Sequence, residues 1–254
     1  MPGLAQTDHF MLGTATIMLG PIEDLYDLNP ADHSIGLVKN FIINEEPVFT
    51  ELTQGRQNDV VHSTKTGNPV RCTMEAYEYT SKNLAYALGN ENASLVEAQN
   101  FVTATNGAVS AGDMTIAVDS ATDIAQGDFV MFKVDSEDDF VVRRVTNVAA
   151  STLTVHAALP SIPDGTVVKK VNMIGGGSRA VQPYYCAKIV GALANDEEVV
   201  LLLPKLRIIR GFSLGFQTEN YGNLPLEFTI YSQLPADPFY SEFGRNQYQI
   251  FAQN

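Results

Sequence analysis

Apolar residues in this chain recur at a spacing of two, in short runs cut off by Gly, Pro, Asn and Asp. Residues 12–19 form the first such run and stop at Gly20-Pro21; residues 35–43 form the second and stop at Asn44-Glu45-Glu46-Pro47. Alternation of this kind, bounded by turn residues, is the mark of a half-buried β-strand. Residues 70–80 repeat it, with Cys72, Met74 and Ala76 on one side and Arg71, Thr73 and Glu75 on the other. Later runs cover 184–193, 198–203, 205–217 and 226–233. Pro204 is expected to separate the second of these from the third, and Leu224-Pro225 to open the last. The chain is therefore expected to be mainly β, a sandwich or barrel.

Only one stretch reads as a helix. Ser81 is the expected N-cap, Leu84 and Leu88 share a face, and Gly89 is the stop. A helix of about two turns does not stand alone in water, so it is expected to pack on a sheet.

Between 104 and 171 the runs become shorter: 114–118, 129–134, 140–148, 152–155 and 166–171, joined by Gly112-Asp113, Gly127-Asp128 and Pro163-Asp164-Gly165. This stretch is expected to be an inserted small β domain, with 1–103 and 172–254 forming one discontinuous parent domain. Gly175-Gly176-Gly177-Ser178 reads as a flexible return joint. The aromatic tail (Phe239, Tyr240, Phe243, Tyr248, Phe251) is expected to dock on its own sheet or on a neighbouring subunit.

Charge narrows the function. With 16 Lys+Arg against 29 Asp+Glu the net charge is −13, which argues against a basic groove for nucleic acid. The longest aliphatic run, Val199-Val200-Leu201-Leu202-Leu203, falls far short of the roughly 20 residues of a membrane-spanning helix. No Lys or Arg precedes Lys39, so the basic start of a secretory leader is not expected. Cys72 and Cys186 are too few for a disulfide scaffold or a cysteine zinc site; free thiols or a single disulfide both stay open.

The motifs that suggest chemistry fail on context. Gly211-Phe212-Ser213-Leu214-Gly215 matches a nucleophile elbow, but no helix start follows it and no His comes after His156. The four histidines (His9, His33, His62, His156) match no metal-ligand spacing. The acidic run Asp135-Ser136-Glu137-Asp138-Asp139 lacks EF-hand spacing and reads as a solvated hairpin turn. Gly175-Gly176-Gly177-Ser178-Arg179 lacks the Lys-Ser/Thr of a phosphate loop. The expectation is a protein that is no enzyme and carries no cofactor and no metal.

One resemblance is specific in its order of parts. Gly13-Thr14-Ala15 with Ile17-Met18-Leu19-Gly20, the run 35–43, the long polar loop 44–69, the run 70–80, and Thr80-Ser81-Lys82-Asn83-Leu84-Ala85-Tyr86-Ala87-Leu88-Gly89 resemble the N-terminal half of phage major tail tube proteins. Residues 180–254 are similar in pattern, and the middle segment resembles small β insertions of phage structural proteins. The resemblance implies a tail-tube-type β-sandwich or barrel with one short α-helix, assembled with itself in hexameric rings that stack into a tube for DNA ejection. It further implies a virion location after synthesis in the bacterial host cytoplasm. Implied partners are other tail proteins (a sheath, a tape measure, a terminator), DNA as transient cargo, and no membrane.

Residue roles follow from that implication. The loop around Gln54, Gly55, Arg56, Gln57, Asn58, Asp59, Val60, Val61 and His62, if folded back as a hairpin, reaches an adjacent ring. Glu75, Glu78 and Glu227 are candidates for an acidic lumen wall that repels DNA, over the ~8–10 Å that salt allows; the choice between Glu75 and Glu78 stays open. The inserted domain is expected on the outside. A rival reading is a β-sandwich adhesin, in which Tyr184, Tyr185 and Tyr221 would form a solvent-facing platform; another is the tube of a phage-derived injection device.

Overall fold

The computed structural model describes residues 11–54, 56–90, 93, 96, 99–134, 139–177, 182–193, 197–210 and 222–252. The chain is mainly β and divides into two compact units, Met1–Leu95 with Gly175–Asn254, and Val96–Ile174. The first unit opens with β1 (Met11–Pro21), α1 (Pro30–His33), β2 (Val38–Glu45), β3 (Val48–Gln54), β4 (Asp59–Gly67), β5 (Val70–Ala76) and α2 (Ser81–Ala87). The second contains β6 (Val102–Ala104), β7 (Thr115–Ala117), β8 (Phe129–Lys133), β9 (Phe140–Ala149), β10 (Thr152–Val155) and β11 (Val167–Val171). The chain then returns with β12 (Tyr185–Leu193), β13 (Glu198–Arg210), β14 (Leu224–Ile230), α3 (Tyr240–Phe243) and β15 (Gln249–Ala252).

In the first unit an antiparallel sheet runs β1-β12-β13-β14-β5-β2, and β15 also pairs with β13. The first half of β13 lies between β12 and β15, and its second half pairs with β14. This exchange of partners along one strand curls the sheet into a half-barrel. Alternate side chains fill its inside: Ile17, Leu19, Cys72, Met74, Ala187, Ile189, Leu203 and Phe228 close around a void of about 10 Å³. The outer side of β1 and β12 is apolar too. There Met18, Cys186 and Leu202 meet Leu25, Leu28 and Phe243 in a second core. The aromatic tail thus docks on its own sheet, with the Phe239 ring edge-on to Tyr26 at 5.2 Å.

Two local expectations change. Pro204 does not break the chain into two strands: β13 runs through it. The register explains this, because Tyr185 pairs with Leu206 and Ala187 with Leu203, so Pro204 and Lys205 together face Cys186. A bulge is the place in a ladder where a missing N–H is tolerated. In α2 the cap is Thr80, not Ser81; its hydroxyl accepts the Asn83 N–H at 3.1 Å. Asn83, Ala85, Tyr86 and Ala87 are buried, while Leu84 and Leu88 are half-buried. Asn83 Nδ2 donates to the Ile35 and Glu78 carbonyls, both at 2.9 Å, and the Tyr86 hydroxyl donates to the Leu19 carbonyl. The helix is fixed to the sheet by polar contacts as well as by burial. Gly176 passes so close to Leu88 that a Cβ there would collide with it, so this part of the glycine run is packed.

The second unit has its own core, including Ile116, Val130, Phe132, Val145, Leu153 and Val168. Its six strands run β6-β11-β8-β9-β10-β7. A Thr105–Val118 bridge, with Asn106 N–H donating to Ala117 and Asp119 N–H to Ala104, joins the two end strands and closes a small barrel. β6 was too short to be read as a strand from sequence.

Candidate assembly surfaces

The polar loop after β2 is an antiparallel hairpin. Among the described residues β3 and β4 pair only with each other, and the Glu46 N–H to Pro69 carbonyl bond at 3.1 Å makes them a continuation of the β2–β5 ladder. At ~3.3 Å per residue the arm's β3 edge is about 23 Å long. Of the expected contact residues, Gln54 and Asp59 form its last pair, Arg56, Gln57 and Asn58 make the tip with Asn58 at φ 55, and Val60, Val61 and His62 begin β4. Gly55 lies outside the described residues. Nearly every arm residue is exposed, among them Val48, Phe49, Leu52 at 63%, Val60 and Val61. A two-stranded ribbon is marginal in water by itself. Its exposed branched and aromatic side chains make it a candidate contact surface.

Beneath the base of the arm, the half-barrel is open. A groove of about 390 Å³ runs along β2 and is walled by Ala15, Ile17, Phe41, Ile43, Val199, Leu201 and Ile250. Its rim carries Lys39, Asn40, Glu45 and Tyr248. Glu45 ties rim to arm: its carboxylate accepts the Tyr248 hydroxyl at 2.6 Å and lies 3.7 Å from the Lys65 ammonium of β4. The Tyr248 hydrogen bond, with help from Asn68 and Lys65, holds the Glu45 carboxyl below its ordinary range.

The second half of β13 with β14, β5 and β2 forms a four-stranded panel whose outer side is solvated. Among the described residues, β2 pairs only with β5, and Ile208–Arg210 pair only with β14, so both borders of the panel carry unpaired backbone groups. Glu75 and Glu227 stand on this outer side, on neighbouring strands. Glu78 does not: it lies beyond β5, and its carboxylate accepts the Leu37 N–H at 2.9 Å. The face is charge-mixed, with cations beside both carboxylates. Arg71 lies 3.6 Å from Glu227, Arg210 is opposite Glu227 in register, and Lys39 is opposite Glu75. The Tyr77 hydroxyl and the Asn40 amide both donate to Glu75, and the Tyr77 bond is the main reason its carboxyl titrates below the ordinary range. An uninterrupted acidic run lies elsewhere, at Glu23, Asp24, Asp27 and Asp32, with no Lys or Arg between Met1 and Val38.

Cys72 and Cys186 are both free and buried. Cys72 points into the half-barrel and Cys186 into the second core on the opposite side of the sheet, so no bridge joins them. The aromatic platform of the adhesin reading is not formed by its described members: Tyr185 is buried edge-on to Tyr86, and Tyr184 packs on Tyr231 with Arg207 over its ring at 4.1 Å. Tyr221 lies outside the described residues, as does the 211–215 motif. Among the described residues no three His, Cys, Asp or Glu side chains are placed to hold a metal ion, and no helix is long and apolar enough to cross a membrane.

No family model matches the chain, and no curated protein matches it. Among solved structures, a match covers 29% of this chain and 15% of the Gp54 tailspike of Acinetobacter baumannii bacteriophage AP22, a structure in complex with A. baumannii capsular saccharide, at 20% identity and a TM-score of 0.26. A likeness of that extent assigns this chain neither an activity nor a place in an assembly.

Proposed function

We propose that this chain is the structural subunit of a phage tail tube, in which copies join edge to edge into rings and the rings stack into a hollow conduit for DNA. The observation that carries this reading is the β3–β4 arm, which projects apolar side chains into solvent and cannot bury them within its own ribbon. The unpaired borders of the four-stranded panel support it further, since strand edges are completed by other strands. Panels from six copies would place about 24 strands around a bore, which at ~4.8 Å spacing and ~40° tilt gives a backbone diameter of roughly 45–50 Å. Glu75 and Glu227 would face that bore among Arg71, Arg210 and Lys39, so the lining would be hydrated and charge-mixed. The second unit would sit outside the tube, because inside it would obstruct passage.

Closing contacts within a ring and open-ended contacts between rings are separate heterologous interfaces. Electron microscopy in negative stain, with sedimentation velocity, tests the reading on the purified full chain. Tubes or six-fold rings are expected, and deletion of residues 54–64 is expected to leave rings or monomers that do not stack. Lone globules from the full chain, or ordinary tubes from the deletion, would overturn it.

A further inference from the structure

The arm and the groove are complementary parts of one chain. The groove is walled by apolar side chains, and no described residue fills it. Its volume of about 390 Å³ would otherwise hold roughly a dozen waters at ~30 Å³ each, against walls that offer them few partners. The arm, for its part, concentrates Leu52, Val60 and Val61 within the last pairs before its tip. A bulge there, where Leu52 pairs with His62 and Thr53 with Val60, leaves Val61 as the extra residue.

Lengths agree as well. The groove follows β2 from Val38 to Glu45, eight residues or about 26 Å, and the arm's β3 edge spans about 23 Å at the same rise per residue. An arm cannot enter its own groove, because it prolongs the very ladder that forms the groove wall; turning back would break the Glu46–Pro69 bond and the pairs on either side of it.

We infer that the open half-barrel is the receptor for the β3–β4 arm of a second copy. The inference rests on the tube reading and names the surface that the arm meets. The end of one copy's arm enters between Ile17, Phe41, Ile43, Leu201 and Ile250 of the next, with Leu52 on one face of the ribbon and Val60, paired with Thr53, on the other. Each copy offers one arm and one groove that face different neighbours, so the contact propagates without closing.

The test uses two kinds of full-length variant. Leu52→Asp with Val60→Asp disables the arm; Ile250→Asp disables the groove. Ile250 is 61% exposed, so the charge does not enter the core; Ala15→Phe fills the groove instead and serves as a second, uncharged variant. Circular dichroism and thermal melts establish that each is folded. The expected result is that each variant alone fails to stack, and that a mixture of arm-disabled and groove-disabled protein associates through one intact arm–groove contact. Sedimentation should then show paired particles at twice the mass of either component and nothing longer. If wild-type protein stacks and the arm variant does not, yet both groove variants stack as wild type does, the receptor assignment fails and the tube reading survives. If wild-type protein forms neither rings nor tubes, the tube reading fails and takes the receptor with it.

Discussion

The Lys205 ammonium donates to both carboxylate oxygens of Asp237, at 2.8 and 2.7 Å, in a pocket where Lys205 is only 6% exposed. Lys205 lies at the β13 bulge beside Pro204, and Asp237 opens the segment that leads to α3 and β15. The pair therefore fastens the C-terminal tail at the point where the sheet changes direction. The Leu234 N–H, at 2.7 Å, supplies a third bond to the same carboxylate.

Removing one partner should cost more than removing both. Lys205→Met leaves a largely buried carboxylate without its cation and is expected to lower stability by about 3 kcal/mol, whereas Lys205→Met with Asp237→Leu should recover much of that. Urea denaturation of the three proteins checks it. Burial pushes the Asp237 carboxyl up, but the Leu234 N–H and Lys205 outweigh that and hold it below the ordinary 3.8. Its contribution is full above that value and is lost as pH falls through the lower folded value. Wild-type stability should drop with acidification in that window more steeply than that of Asp237→Asn.

The arm should be the least protected strand pair of the unassembled protein. Its amides have no covering layer, so their exchange with deuterium is expected to be orders of magnitude faster than that of β12 and β13. On assembly the amides of β3 and β4 should become protected. Arm exchange that is slow in the free chain would show that the ribbon is already covered.

Gly36 sits at φ +78, with the Glu78 carboxylate where a Cβ would go. Gly36→Ala both strains the backbone and pushes Glu78 off the Leu37 N–H, for an expected loss of about 1–2 kcal/mol. Glu78→Gln keeps an acceptor for that N–H and should cost less, which thermal denaturation of the two variants will show.

Both thiols should be inert in the native state. Burial raises the Cys72 thiol to about 12 and pushes Cys186 up as well, and the two lie on opposite sides of the sheet. A thiol reagent should react with neither until the protein unfolds, and reductant should leave electrophoretic mobility unchanged.

Much of the fold is legible in the residues, for reasons that differ by element. The period-two runs of β5 and β14 reflect a sheet with one buried side, and Leu224, Leu226, Phe228 and Ile230 report it position by position, whereas β1 and β12 are buried on both sides. Pro204 misled because its effect depends on the partner strand: only the register opposite Cys186 shows that its missing N–H falls at a bulge. β6 has three residues and draws its stability from β11, which no local pattern records. In the helix, the spacing of Leu84 and Leu88 does not reveal that Asn83 and Tyr86 are the more deeply buried, because these two are held by hydrogen bonds to Ile35, Glu78 and Leu19. The polar loop reads as a fold-back, but the groove is not legible, since its walls come from five separate strands. Nor are the surroundings of a carboxylate legible in its own strand: the cations beside Glu75 and Glu227 come from β2, β5 and β13.

The seam between β6 and β7, through Thr105 and Val118, makes the second unit a closed piece of its own. The second unit enters at β6 and leaves at β11, which are paired neighbours, and its perimeter is sealed without help from the rest of the chain. Such a cassette is excisable in one piece, and the first unit's sheet keeps every strand it had.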